Sequence, residues 1–219
     1  MEDPLAAFPQ LHVLTDSVLS GGRDPREIAR AAWSGGADCV QLREKSMDLA
    51  MLAGVADRLA NIAKVRGRLF VVNDRLDVAL AANAGGLHVG PEDMPVAAAR
   101  RRWLRPRVLG GSARTVEAAR QLARDGADYL GVGPVFATSS KRDAGSPIGL
   151  ETLARIAAAV PVPVLGIGGV SPENAASVLE AGAAGVAVIS AVVAEPDVEA
   201  ATRALREALD RAARDFPTR

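Results

Sequence analysis

The chain has a single cysteine, Cys39, so no internal disulfide can hold it together. Net charge is absent too: 26 basic side chains balance 26 acidic ones, leaving no overall field to draw in nucleic acid or an anionic membrane. Any bound anion must therefore be held by a local cluster. No apolar run approaches membrane-spanning length or resembles the apolar stretch of a signal peptide. These absences predict a cytoplasmic protein with neither a nucleic-acid nor a membrane partner. Familiar catalytic signatures are missing as well: no Ser/His/Asp order, no Cys/His cluster at metal-ligand spacing, no Walker loop and no GxGxxG. The two histidines, His12 and His88, fall inside predicted strands, where a core or barrel-interior role is commoner than a catalytic one. Nucleophilic catalysis has no obvious candidate.

What is present is a repeat. Gly36-Ala37-Asp38-Cys39-Val40, Gly126-Ala127-Asp128-Tyr129-Leu130 and Gly182-Ala183-Ala184-Gly185-Val186 share one pattern, with a looser copy at Gly85-Gly86-Leu87-His88-Val89. In each, an alanine-rich helical segment meets a glycine suited to a helix C-terminus, and a short apolar or β-branched run follows. Asp24-Pro25 and Ser171-Pro172 read as helix starts, a capping side chain before a proline at the first helical position. The pattern predicts strands near 11–16, 39–44, 68–73, 87–90, 107–112, 129–135, 163–168 and 185–190, each followed by a helix. Eight such units in 219 residues, 49% of them hydrophobic, predict a single-domain (β/α)8 TIM barrel over 1–219. Residues 1–10 form a short extension in this reading, and 206–219 the end of the C-terminal helix. An open flavodoxin-like sheet would leave the last two units unexplained.

Barrel chemistry gathers at the C-terminal strand ends, so the tips matter most. They are polar: Thr15-Asp16, Gln41-Leu42-Arg43-Glu44-Lys45, Asn73-Asp74, Gly90-Pro91-Glu92-Asp93, Gly110-Gly111-Ser112 and Thr138-Ser139-Ser140-Lys141. The last two, Gly166-Ile167-Gly168-Gly169 and Val188-Ile189-Ser190, are glycine-rich or small, as suits a phosphate approached by backbone N–H groups. Relief of crowding at a tight turn is the competing reading. Arg43, Lys45 and Lys141 form a second, cationic set, and two of the chain's three lysines lie in it. Surface pairing with Glu44 and Asp143 is the bland alternative. Asp74 and Asp93 at adjacent tips suit a hard divalent ion such as Mg2+, although Asp74 could cap the next helix and Asp93 could brace a turn before Pro95. Taken with the cations, they suggest metal-bound pyrophosphate beside a separate phosphate site, and therefore two substrates.

In order along the chain, Gln41-Leu42-Arg43-Glu44-Lys45, Val72-Asn73-Asp74, His88-Val89-Gly90-Pro91-Glu92-Asp93-Met94, Gly133-Pro134-Val135-Phe136-Ala137-Thr138-Ser139-Ser140-Lys141 and Gly166-Ile167-Gly168-Gly169 resemble the motifs of thiamine-phosphate synthases, over roughly 10–205. The resemblance implies a Mg2+-dependent transferase that joins hydroxymethylpyrimidine diphosphate to thiazole phosphate, carboxylated or not, and releases pyrophosphate. It places Gln41 by the pyrimidine, and Arg43, Lys45, Asn73, Ser112 and Lys141 around the diphosphate. The metal falls to Asp74 and Asp93. Thiazole phosphate falls to Thr138, Ser140, Gly168 and the backbone around Ile189 and Ser190. The implied chemistry is dissociative, with Arg43, Lys45, Ser112 and Lys141 as the catalytic set, which fits a site without a nucleophile.

Two departures stand out: Pro91 replaces a frequent Gln, and His12 sits where an aromatic is often found. The alternatives are an isomerase like the thiazole tautomerases, and a barrel that binds phosphorylated ligands without turning them over. Pro134 occupies the position of the tautomerase histidine, which argues against the first.

Overall fold

The computed structural model describes residues 10–140 and 145–215. Among them, eight parallel strands close into a barrel in sequence order: β1 (Leu11–Leu14), β2 (Cys39–Leu42), β3 (Leu69–Asn73), β4 (Gly86–Val89), β5 (Val108–Ala113), β6 (Tyr129–Val132), β7 (Val164–Ile167) and β8 (Gly185–Val188). The last strand pairs with the first, Leu11 opposite Val186. The outer ring is α1 (Pro25–Ser34), α2 (Leu49–Arg66), α3 (Leu76–Ala81), α4 (Val96–Arg100), α5 (Val116–Arg124), α6 (Gly149–Ala159), α7 (Ala175–Glu180), a four-residue α8 (Ser190–Val193) and α9 (Val198–Asp215). No helix among the described residues is long and apolar enough to cross a membrane.

The repeated junction has one hydrogen-bond pattern. At Gly36, Gly126 and Gly182, φ is +102°, +100° and +90°, and the next residue's N–H returns to a carbonyl five residues back, Ala37 to Ala32, Ala127 to Leu122 and Ala183 to Val178. That left-handed turn is cheap only without a Cβ. The looser copy differs, because Asn83 (φ +50°) makes the turn and Gly85 and Gly86 follow it.

Two further expectations change. Asp24 caps α1 with Pro25 behind it, but Ser171-Pro172 opens a turn and α7 begins only at Ala175. Ser171 N–H donates to Asn174 Oδ1 at 2.9 Å and Asn174 Nδ2 to Gly169 O at 3.0 Å, a closed loop that delays the helix. Some strands also stop short of their predicted ends, β1 at Leu14, β2 at Leu42 and β8 at Val188, whereas β3 ends at Asn73 as predicted. Pro134 explains β6: it has no N–H for the ladder, which resumes as Val135 N–H and Phe136 N–H donate to Ile167 O and Gly168 O.

Apolar side chains fill the layer between barrel and helices, including Trp103, Phe70, Leu109 and Ile156. Inside the barrel, Tyr129 packs with Leu14, Leu165 and Ala187 beside His12 and His88. Gly110 makes room for them: a Cβ there would lie 2.3 Å from Tyr129 Cζ and 2.4 Å from His88 Nδ1.

The end opposite the tips is closed by two matched clusters. Asp38 accepts from Gln10 and Leu11 N–H and pairs with Arg206 of α9, while Asp128 accepts from Leu109 N–H and pairs with Arg100 of α4. In each, the arginine stem lies over the glycine of the repeat, Arg206 on Gly36 and Arg100 on Gly126.

Candidate active site

The strand ends bring the polar residues together in two groups. On the first side, Arg43 Nη1 contacts Asp16 Oδ2 at 2.7 Å, with both side chains mostly covered. Arg43 N–H donates to Thr15 Oγ1 at 3.1 Å. Glu44 turns elsewhere, its Oε2 accepting from Ser17 N–H at 3.0 Å. Pairing of Arg43 with Glu44 is thus replaced by pairing with Asp16, because the β1 tip sits beside the β2 tip in the closed ring. Lys45 reaches across to Asp74. Gln41 is buried, and its Oε1 has no hydrogen-bond partner, leaving an acceptor ready for a ligand.

Asp74 holds a strained backbone, φ +66°, fixed by its N–H donating to His88 O at 2.7 Å. It does not cap the following helix: Arg75 is the capping residue of α3 and makes no side-chain bond there. Asp74 is hydrogen-bonded to Asp93. Asp93 does brace a turn, its Oδ2 accepting from Gly90 N–H at 2.7 Å. Burial, then the contact with Asp93, raises the Asp74 carboxyl above its ordinary value, with Lys45 opposing. For Asp93, burial pulls upward but is outweighed by the bonds from Asp74 and Gly90 N–H, with Lys45 adding to them, so its carboxyl lies low. Two carboxyls this close resist ionising together, which favours keeping one proton between them. A divalent cation could take that proton's place between oxygen ligands, so the pair fits Mg2+. No group of three or more His, Cys, Asp or Glu gathers among the described residues, so further oxygen ligands would come from substrate or water.

Ser112, at the tip of β5, lies 2.9 Å from His88 Nε2, and His88 Nδ1 lies 3.0 Å from the Tyr129 hydroxyl. Burial lowers the His88 pKa to about 4, with Asp93 pulling the other way. His88 is a buried barrel-interior histidine, as expected, and its ring also touches Ser112 at the mouth. Its link to Ser112 escapes a reading of single strands, because it needs the pairing of β4 with β5, in which His88 faces Gly110 and Ser112 stands two residues further on. In that reading Asp16 is named only as part of a polar tip, and its pairing with Arg43 likewise depends on strand register, that of β1 with β2.

On the second side, Ser140 Oγ donates to Ser190 Oγ at 2.9 Å and Thr138 Oγ1 to Ser140 Oγ at 3.3 Å. Ser190 begins α8, with Ile189 just before it. Gly168 (φ +94°) lies so close to Pro134 that a Cβ would come within 2.5 Å, so close packing at this tip is part of its role. Asn73 is half-buried at the end of β3. Lys141 and Asp143 lie outside the described residues.

Fold and mouth together define a class: a (β/α)8 barrel with one polar centre at its C-terminal strand ends. Comparison with known proteins narrows it. The family model described as thiamine monophosphate synthase matches residues 11–192. The curated thiamine-phosphate synthase of Moorella thermoacetica is 52% identical over 202 residues, covering 92% of this chain and 96% of that one. The Chloroflexus aurantiacus protein of the same name is 51% identical over 197 residues, 90% of this chain and 91% of its own. Among solved structures, a thiamine phosphate pyrophosphorylase from Pyrococcus furiosus superposes with a TM-score of 0.87 at 39% identity, covering 95% and 98% of the two chains. The chain belongs to the thiamine monophosphate synthase family.

Proposed function

We propose that the chain joins hydroxymethylpyrimidine diphosphate to thiazole phosphate, forming thiamine phosphate and pyrophosphate. The observation that carries this reading is the division of one mouth into two anion-suited sides. Arg43, Lys45 and the Asp74–Asp93 pair occupy one side, and the Thr138–Ser140–Ser190 hydroxyls beside Gly168 the other.

On the first side, Gln41 orients the pyrimidine through its open acceptor, while Arg43, Lys45, Asn73 and Ser112 bind the diphosphate, a role assigned to Lys141 from its motif alone. Asp74 and Asp93 would hold Mg2+, which would offset charge developing on the departing pyrophosphate. The C–O bond to the pyrimidine methylene breaks, and its electron pair leaves with pyrophosphate. The thiazole nitrogen then supplies the pair for the new C–N bond. Arg43, kept in place by Asp16, and Ser112 stabilise the departing oxygens, and no base or nucleophile is required. On the second side, Thr138, Ser140 and the Ile189–Ser190 backbone hold the thiazole phosphate so that its nitrogen faces the methylene. A cytoplasmic setting is part of this reading.

The two curated relatives named above carry the synthase name and the solved structure the name thiamine phosphate pyrophosphorylase, and the isomerase and non-catalytic readings gain no support from them. The test is to supply both substrates with and without Mg2+ and to follow thiamine phosphate as fluorescent thiochrome. Metal-dependent product is expected. No product from folded protein that still binds thiazole phosphate would reject the proposal.

A further inference from the structure

Tyr129, His88 and Ser112 form a chain of hydrogen bonds that rises through the barrel interior and ends at the mouth. Tyr129 and His88 are 1% and 8% exposed. Their rings lie 5.4 Å apart between centroids. The room for them is built into the strands: Gly110 leaves no space for a Cβ beside either ring, and a Cβ on Gly131 would lie 3.3 Å from His88 Cε1. Such packing fixes the imidazole plane, so each ring nitrogen has one assigned neighbour: Nδ1 faces the phenol at 3.0 Å and Nε2 faces Ser112 Oγ at 2.9 Å.

A neutral imidazole has one donor and one acceptor nitrogen, so the chain can run in only two directions. Both rings are buried and both imidazole nitrogens face hydroxyls, an environment that favours the uncharged imidazole and phenol. A phenol, with pKa near 10, is a far stronger hydrogen-bond donor than an aliphatic alcohol, so it takes the acceptor nitrogen in preference to serine.

We propose that Tyr129 and His88 are positioning residues that set the direction of the Ser112 hydroxyl: Tyr129 O–H donates to Nδ1, Nε2–H donates to Ser112 Oγ, and the serine proton points outward. This rests on the function proposed above. An outward O–H is a ready donor to a departing pyrophosphate oxygen, whereas the reverse order would present serine lone pairs to an anion. Preorganised donors aimed at developing charge need no reorganisation during the reaction. No proton is transferred along the chain; the relay only orders it.

The chain has two histidines, so a 15N spectrum of histidine-labelled wild-type protein contains two imidazoles, and His88→Gln assigns them. His88 is expected to show an unprotonated Nδ1 and a protonated Nε2; a protonated Nδ1 would overturn the proposal. In Tyr129→Phe the tautomer preference should weaken, and kcat should fall roughly tenfold, less than the roughly 100- to 1000-fold cost of removing such a donor outright. KM for thiazole phosphate should stay unchanged. His88→Gln, whose amide can accept from Tyr129 and donate to Ser112, should keep most of kcat. His88→Asn, too short to reach Ser112, should resemble Ser112→Ala. Wild-type kcat in both Tyr129→Phe and His88→Asn would also overturn it. A wild-type protein without turnover would count against the functional reading instead, while the tautomer would still decide the direction of the relay.

Discussion

Ser140 Oγ and Ser190 Oγ lie 2.9 Å apart although 50 residues separate them in the chain, one on the loop after β6 and the other at the first turn of α8. This bond ties two loops into one cradle. Each hydroxyl has a proton or lone pair left for a phosphate oxygen. Ser140→Ala is expected to raise KM for thiazole phosphate about tenfold, the worth of one hydrogen bond to a charged group. KM for the pyrimidine diphosphate should change far less. Equal increases for both substrates in steady-state kinetics would abolish the division of the mouth.

Asp93 carries the metal assignment together with Asp74. Replacing it by alanine should lower Mg2+-dependent turnover by ~100-fold or more, the scale on which a charge-stabilising group acts. The circular dichroism spectrum should stay native. Near-normal activity across a Mg2+ titration would end the assignment.

Asp16 holds the Arg43 guanidinium from the neighbouring tip. Removing it in Asp16→Ala leaves the arginine free to swing, and a misplaced group near the chemistry costs up to about 100-fold. The loss should appear in kcat/KM for the pyrimidine diphosphate. A variant with unchanged kcat/KM would show that Arg43 needs no such support.

His88 couples stability to pH. Its folded pKa of about 4 lies below the ordinary 6.5, so between those values the unfolded chain binds more protons than the folded one. Stability from this group is therefore complete above pH 6.5 and declines as pH falls towards 4, by up to about 3 kcal/mol. Urea midpoints of the wild type and His88→Gln should converge or cross over this window on acidification. Parallel pH profiles for the two would contradict the assignment.

Asp128 is 4% exposed and pairs with Arg100, whereas Arg105, its second partner, is 65% exposed. Asp128→Ala strands a mostly covered arginine and should cost about 3 kcal/mol or more. Arg105→Ala should cost below about 1 kcal/mol, as exposed pairs do. Urea unfolding of both variants measures the contrast, and similar losses would refute it.

The barrel was legible in the sequence because its signal is local. A left-handed glycine between an alanine-rich helix and an apolar run is written into consecutive residues, and Gly36, Gly126 and Gly182 all follow that rule. Strand ends were harder to place, since hydrophobic and polar residues succeed one another smoothly through 14–16 and 42–44 while the pairing has already stopped. α8 was invisible for a related reason: Ser190-Ala191-Val192-Val193 continues the apolar run of β8 and carries strand-favouring valines. In the site, each group's position could be read from its tip, but partners could not. Arg43 with Asp16 and Ser112 with His88 depend on ring closure and register, which link residues far apart in sequence.

The two arginine–aspartate clusters at the closed end also bear on how the ring could be taken apart. Arg100 ends the fourth βα unit yet serves Asp128 in the sixth, and Arg206 belongs to the last helix yet serves Asp38 in the second. Each half of the barrel thus lends its final helix to fasten the other half, as two hands clasp. Cut between α4 and β5, each four-strand fragment would lose the better covered of its aspartate's two arginines, leaving Asp38 with Arg68 and Asp128 with the exposed Arg105. Only the complete circle gives both aspartates a covered arginine.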